Sequence, residues 1–185
     1  MSSLTIKTPY LNNKSKIMKR LHLLPLLLTL LTPLPETARG EEAQVATATG
    51  LPLPRFASLY TDEVNLRTGP GTRYPIEWVY VRQGLPVEIT AEFEIWRRIR
   101  DWEGSEGWVH KSALTGKRSA IIGNGKKSIY ASDSATAEVL ATVEPNAIGR
   151  LLACQANWCE VKFQDIKGYM PKADFWGAYA QEIFD

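Results

Sequence analysis

From Phe56 onward, short stretches of alternating apolar and polar residues are broken by turn residues every eight to twelve positions. That spacing predicts short β-strands and an all-β fold of small-barrel type. The first strands are expected at 57–60, 64–67, 76–81 and 86–93. A turn at Thr68-Gly69-Pro70-Gly71 separates the second from the third; glycine tolerates positive φ and Pro70 fixes its own. In 86–93, Val87, Ile89, Ala91 and Phe93 alternate with Glu88, Thr90, Glu92 and Glu94, which predicts one buried and one wet face. The next strand holds Trp96 and Ile99, three positions apart and so on opposite faces. With Ile99 inward, Trp96 points outward; the same parity puts Val109 inward and Trp108 outward.

The segment 96–116, WRRIRDWEGSEGWVHKSALTG, returns at 158–177 as WCEVKFQDIKGYMPKADFWG. Trp96 matches Trp158, Ile99 matches Val161, Gly107-Trp108-Val109 matches Gly168-Tyr169-Met170, Lys111 matches Lys172 and Gly116 matches Gly177. A period of about 60 residues suits two copies of one small domain rather than a helical solenoid. The expected domains are 56–116 and 117–177, followed by a tail at 178–185. The second copy opens with strands at 119–123 and 128–130 and continues at 139–143 and 148–154, but its loops have diverged: the Gly-Pro-Gly turn is gone. Lys117-Arg118 leaves almost no linker between the copies, so close contact is expected. One helical turn is expected in the tail, with Ile183 and Phe184 available as an apolar cover.

Residues 1–40 belong to neither copy. Lys14, Lys16, Lys19 and Arg20 precede the apolar run 21–31, and Ala38-Arg39-Gly40 offers small residues at a cut, the pattern of a signal peptide. Met18-Lys19-Arg20 is itself a good signal start, so 1–17 reads as an upstream extension; an uncleaved membrane anchor is the competing reading, weakened by Pro25, Pro33 and Pro35. Six of the 22 basic residues (Lys7, Lys14, Lys16, Lys19, Arg20, Arg39) but only one of the 20 acidic residues (Glu36) lie in this segment. The remainder holds 16 basic and 19 acidic groups, a net −3, and makes no electrostatic case for nucleic acid. Residues 41–55 lack apolar periodicity and read as a flexible lead-in.

Gln155-Ala156-Asn157-Trp158 separates Cys154 from Cys159, an interval that suits a hairpin loop. Residues flanking such a loop face each other at ~4.5 to 5.5 Å between Cα atoms, within reach of a disulfide. Secretion would supply the oxidising surroundings, so a Cys154–Cys159 bond is expected. A redox site would space its cysteines Cys-x-x-Cys, and a structural zinc would need four ligands.

The opening Val64-Asn65-Leu66-Arg67-x-Gly69-Pro70, then Trp96-x-x-Ile99 and Gly107-Trp108-Val109, resembles bacterial SH3 domains. The second copy, with its cysteine pair and Gly168-Tyr169-Met170, is similar to cysteine-bearing repeats of exported tandem SH3-like proteins. The resemblance covers about residues 56–177 and implies two SH3-like barrels with a binding role, often toward cell-wall peptidoglycan or its peptides, usually beside a hydrolase domain. No hydrolase domain is recognisable in the sequence.

Two outward tryptophans, with Trp78 and Tyr74 as neighbours and Arg98 or Arg100 as polar groups, would form a ligand cleft. Rings packed under the loops of a barrel too small to bury them fully are the plainer alternative. Asp101, Glu103 and Glu106 surround a hairpin turn and are expected to be solvated rather than catalytic. A cysteine or serine peptidase would need a nucleophile beside a histidine; His110 is the sole histidine after residue 40, and no Gly-x-Ser-x-Gly elbow is present. The expected function is a non-enzymatic binding module of the cell envelope, periplasmic or extracellular, with no cofactor or metal. Its ligand would be peptidoglycan or a peptide; the alternative is a structural protein that engages an envelope protein partner.

Overall fold

The computed structural model describes residues 4–6 and 48–185. The signal-type run, the proposed start at Met18 and the cut after Gly40 lie outside the described residues. Among the described residues, apart from two short 3-10 turns, Lys111–Ala113 and Lys172–Asp174, the regular structure is all strand.

The first sheet holds β2 (Arg55–Leu59), β3 (Val64–Arg67), β4 (Ile76–Tyr80), β5 (Pro86–Phe93), β6 (Trp96–Arg100), β7 (Glu106–His110) and β8 (Leu114–Thr115), in the order β4-β3-β7-β6-β5-β2-β8. The second holds β9 (Ser119–Ile121), β10 (Lys127–Tyr130), β11 (Val139–Val143), β12 (Ile148–Cys154), β13 (Trp158–Phe163) and β14 (Ile166–Pro171), in the order β11-β10-β14-β13-β12-β9. A further strand, β1 (Leu4–Ile6), lies parallel to β11 at its outer edge. The shared order makes the domains two copies of one topology. Even the closing pair repeats: Ser58 pairs with Thr115 in the first copy, and Ile121 bridges to Trp176 in the second.

Each copy encloses its own core. Leu59, Leu66, Val87, Ile99 and Val109 fill the first; Ile129, Val143, Val161, Phe163 and Met170 fill the second. Ile99 and Val109 face inward as parity requires, with Val161 and Met170 as counterparts. The Gly-aromatic-apolar motif has a steric cause. A Cβ on Gly107 would sit 2.6 Å from Leu66 Cγ and 2.9 Å from the Arg67 carbonyl, and one on Gly168 would sit 2.5 Å from the Tyr130 carbonyl. Only glycine lets β3 close on β7, and β10 on β14.

Four expectations need correction. The simple alternation in β5 fails because the register with β6 shifts between Ile89 and Ala91. Past that irregularity Phe93 is exposed and Glu92 is buried; Glu88, which precedes it, is buried for a different reason, bonded by Arg100 and the Tyr179 hydroxyl. Asp101 is not solvated: Oδ1 accepts from the backbone N–H groups of Glu103 and Ser105, and Oδ2 accepts from the Tyr80 hydroxyl. The lead-in is held from Thr49 onward, since Thr49 hydrogen-bonds Glu92 through backbone and side chain and Leu53 packs on the first core. The tail has no helix; Phe184 packs on the second core while Ile183 is exposed.

The copies form one compact unit. Ser58 and Ser119 meet at 2.5 Å through buried hydroxyls, and the Phe56 ring lies against Trp176 and Tyr179, with centroids at 4.8 and 4.7 Å. Ile121 of β9 packs into the first core, and Arg82 donates to the Asn146 carbonyl. The tail adds an ion pair between Glu182 and Arg118, whose guanidinium also lies over Phe56 and Phe184.

Candidate functional site

The β6–β7 hairpin sets the register of the first domain's outer face. Trp96 lies opposite His110, Arg98 opposite Trp108 and Arg100 opposite Glu106, while Arg67 of β3 lies opposite Trp108 on its other side. A row therefore runs Arg98, Trp108, Arg67 across three strands. Tyr74 extends it, because Arg67 donates from Nη1 to the Tyr74 and Thr72 carbonyls at 2.8 and 3.2 Å. The Arg73 guanidinium sits 5.1 Å from the Tyr74 ring centre. Trp108 and Tyr74 are half-buried.

Two of the expected aromatics do not join this row. Trp96 is 7% exposed and lies edge-on to His110 with centroids at 5.6 Å, so the outward parity holds but the ring is covered. Trp78 sits opposite inward-facing Leu66 and packs on the core. The plainer alternative, aromatic rings serving as packing, describes these two. Of the arginines, Arg98 pairs with Glu106 at 2.6 Å, both about half exposed. Arg100 pairs at 2.5 Å with Glu88, which also accepts from the Tyr179 hydroxyl at 2.8 Å and so ties this edge to the second domain. Burial and that hydrogen bond push the Tyr179 phenol far above its ordinary pKa.

His110 begins the 3-10 turn 111–113; its Nδ1 accepts from the Ser112 backbone N–H at 3.2 Å and lies 2.6 Å from the Ser112 hydroxyl. This is local capping within two residues. Among the described residues no group of three His, Cys, Asp or Glu side chains could hold a metal, and no helix is long and apolar enough to cross a membrane.

In the second domain the expected disulfide is present. Cys154 and Cys159 face each other in register with Cα atoms 4.1 Å apart, both fully buried. The tail is laid along this hairpin: the Cys154 N–H donates to the Phe184 carbonyl and the Phe184 N–H returns the bond, at 2.7 and 3.1 Å. Lys172 is buried beneath the tail, donating from Nζ to the carbonyls of Ala156, Ala180 and Glu182 at 3.1, 3.1 and 2.6 Å. Between these parts lies a cleft of 450 Å³ whose walls include Trp158, Pro171, Ala173, Ala178 and Ala180. Sequence reasoning placed the ligand cleft in the first domain and missed this one. The available signal was the exchange of His110 for Pro171 and of Ser112 for Ala173 between the copies.

A family profile described as bacterial SH3 domain matches residues 61–116 and 127–177, more than half of the chain. No curated protein matches the chain. Among solved structures, it is similar to the structures of NlpC2 and NlpC1 from Trichomonas vaginalis, at 14% and 12% identity and TM-scores of 0.33 and 0.32. It is also similar to an NlpC/P60 family protein from Bacillus cereus ATCC 10987, at 14% identity and a TM-score of 0.30. The matches cover 70%, 71% and 66% of this chain and 50%, 49% and 57% of those chains, so the chain spans about half their length.

Proposed function

Because the chain belongs to the bacterial SH3 domain family, we propose that it is an exported, non-catalytic tandem module that binds cell-wall peptidoglycan or a peptide. The observation carrying this reading is the row of Trp108 between Arg67 and Arg98 on paired strands, with Tyr74 in the turn at its end: half-buried rings beside cations held by their own partners. Such a row offers flat apolar contact together with hydrogen-bond donors, the combination expected at a binding face. The buried disulfide supports export, because such bonds persist in oxidising compartments. A signal cut after Gly40 would also release β1 and return the edge of β11 to solvent.

The test is retention on purified sacculi. Trp108→Ala should retain at least tenfold less protein than the parent, with an unchanged melting temperature. Equal retention of the folded variant would overturn the row as the wall site. A protein-partner role is the second reading, favoured by exposed Ile76, Val79 and Val81 at the β4 edge and Phe93 and Ile95 at the β5–β6 tip. Under it, sacculi retain neither protein.

A further inference from the structure

β4 ends the strand order of the first sheet, and among the described residues no further strand pairs with its outer side. An open edge carries unpaired backbone N–H and C=O groups, and folded proteins blunt such edges with lysine, proline or a covering segment. β4, IEWVY, has no lysine and no proline, and Glu77 is its one charge. The equivalent arm of the second domain, β11, does carry an added strand: β1 pairs along it from Ala141 to Val143. The side chains along β4 are apolar as well. The register of β3 and β4 shifts between Leu66 and Arg67, which sets Ile76 opposite Arg67 and on the same outer face as Val79, opposite exposed Asn65. Val81 continues this face past the strand end, and the three are 47, 42 and 62% exposed.

We infer that β4 is a self-association edge: two molecules of this chain pair β4 against β4, antiparallel, about a two-fold axis through Val79. The inference goes beyond the wall reading and supplies the partner for the second one. A two-fold contact needs a strand that is complementary to itself. Pairing centred on Val79 sets Val79 opposite its own counterpart, Glu77 opposite Val81 and Trp78 opposite Tyr80. No like charges then face each other, and the two Glu77 residues lie about 14 Å apart along the pair.

Other registers are poorer. A centre at Glu77 would oppose the two carboxylates, and a centre at Trp78 would set Val81 opposite Pro75, which has no N–H to give. Centres past Val79 run into the turn closed by the Leu85 N–H on the Arg82 carbonyl. Five residues a side, against the ~20 to 30 of a standard interface, make the association reversible, with a dissociation constant on the order of 10 to 100 μM. The contact also bears on binding. Arg67 lies between Ile76 and Trp108, so pairing across β4 sets two rows of Arg98, Trp108 and Arg67 on one continuous sheet.

The test is sedimentation velocity of the processed chain across roughly 5 to 500 μM, which brackets that constant. Wild type should pass reversibly from monomer to dimer. Val79→Lys and Val81→Lys, at exposed positions, should raise the dissociation constant at least tenfold with unchanged melting, whereas Leu140→Lys on β11 should leave it as in wild type. Mild oxidation should link Val79→Cys to its counterpart, since facing strand positions lie within disulfide reach, and should leave Glu77→Cys unlinked. A monomer across the whole range would overturn the pairing, as would a dimer that survives both lysine variants or is lost only in Leu140→Lys. Linking of Glu77→Cys in place of Val79→Cys would overturn the register. Sedimentation needs no wall ligand. A monomer retained on sacculi therefore removes the pairing and leaves the Trp108 row standing, and a dimer that sacculi do not retain removes the row as wall site and leaves the pairing.

Discussion

Glu92 carries a carboxylate into the first domain, and its side chain is fully enclosed by Arg55 at 2.5 Å, Arg97 at 3.2 Å and the Thr49 hydroxyl at 2.8 Å. Burial alone would raise its pKa, but the hydrogen bonds from Arg55 and Thr49 outweigh it and hold the carboxyl below the ordinary range. Glu182, bonded by Arg118 and the Tyr179 N–H, is lowered for the same reasons. A depressed folded-state pKa means the folded protein binds this proton less readily than the unfolded chain. The stabilisation is therefore complete above the unfolded value of ~4.3 and is lost as pH falls through the folded one. Urea midpoints should hold steady from pH 7 to about 5 and drop below pH ~4. Glu92→Gln should be less stable at pH 7 by about 3 kcal/mol, since it leaves Arg97 buried beside a neutral group, and should show a shallower acid limb. An unchanged acid limb in that variant would assign the pH dependence elsewhere. None of this could be read from the alternation in 86–93, which assigned Glu92 to water. Period-two reasoning assumes an unbroken ladder, and a register shift of one residue inverts every position beyond it.

The hairpins were the most readable elements, because local sequence determines them. The Trp-x-x-Ile spacing on β6, the inward Val109 and the facing cysteines all follow from strand parity, with no knowledge of the partner domain. What parity cannot supply is cover: it gives the direction of Trp96 but not the His110 ring that closes over it, which comes from the adjacent strand. Gly107 shows how tight these elements are. Gly107→Ala would place a methyl group against Leu66 and the Arg67 carbonyl, and should cost roughly 1 to 3 kcal/mol by overpacking; a denaturant midpoint equal to wild type would show that β3 can yield. The disulfide acts over a wider span than its short ring suggests, since Cys154 also pairs with Phe184. Replacing both cysteines by serine should cost about 2 kcal/mol. Hydrogen exchange at Phe184 should rise more than at Ile129 in the opposite part of the same core. Equal protection loss at both would mean that the hairpin does not anchor the tail.

For the whole molecule, the duplication and the missing linker establish that the copies touch, and the structure shows why they dock in one arrangement. The sequence marks Phe56 only as the start of a domain; its role depends on Trp176, Tyr179 and Arg118, which lie more than sixty positions away and meet it in the folded chain. Phe56 is buried, yet it belongs to neither domain's core cluster, so its packing energy resides in the contact between domains. Docking through such a contact couples the unfolding of the two copies, and calorimetry of wild type should show a single transition with equal calorimetric and van't Hoff enthalpies. Phe56→Ala removes the ring from that contact at about 3 to 5 kcal/mol and should split the transition in two. Ile99→Ala, a cavity in the first core at about 2 to 5 kcal/mol, should lower the melting temperature while keeping one transition, because the contact is intact. A single, unshifted transition in Phe56→Ala would show that Ser58–Ser119 and the Tyr179–Glu88 bond hold the domains without it. Two transitions in wild type would show that the domains unfold independently despite their contact.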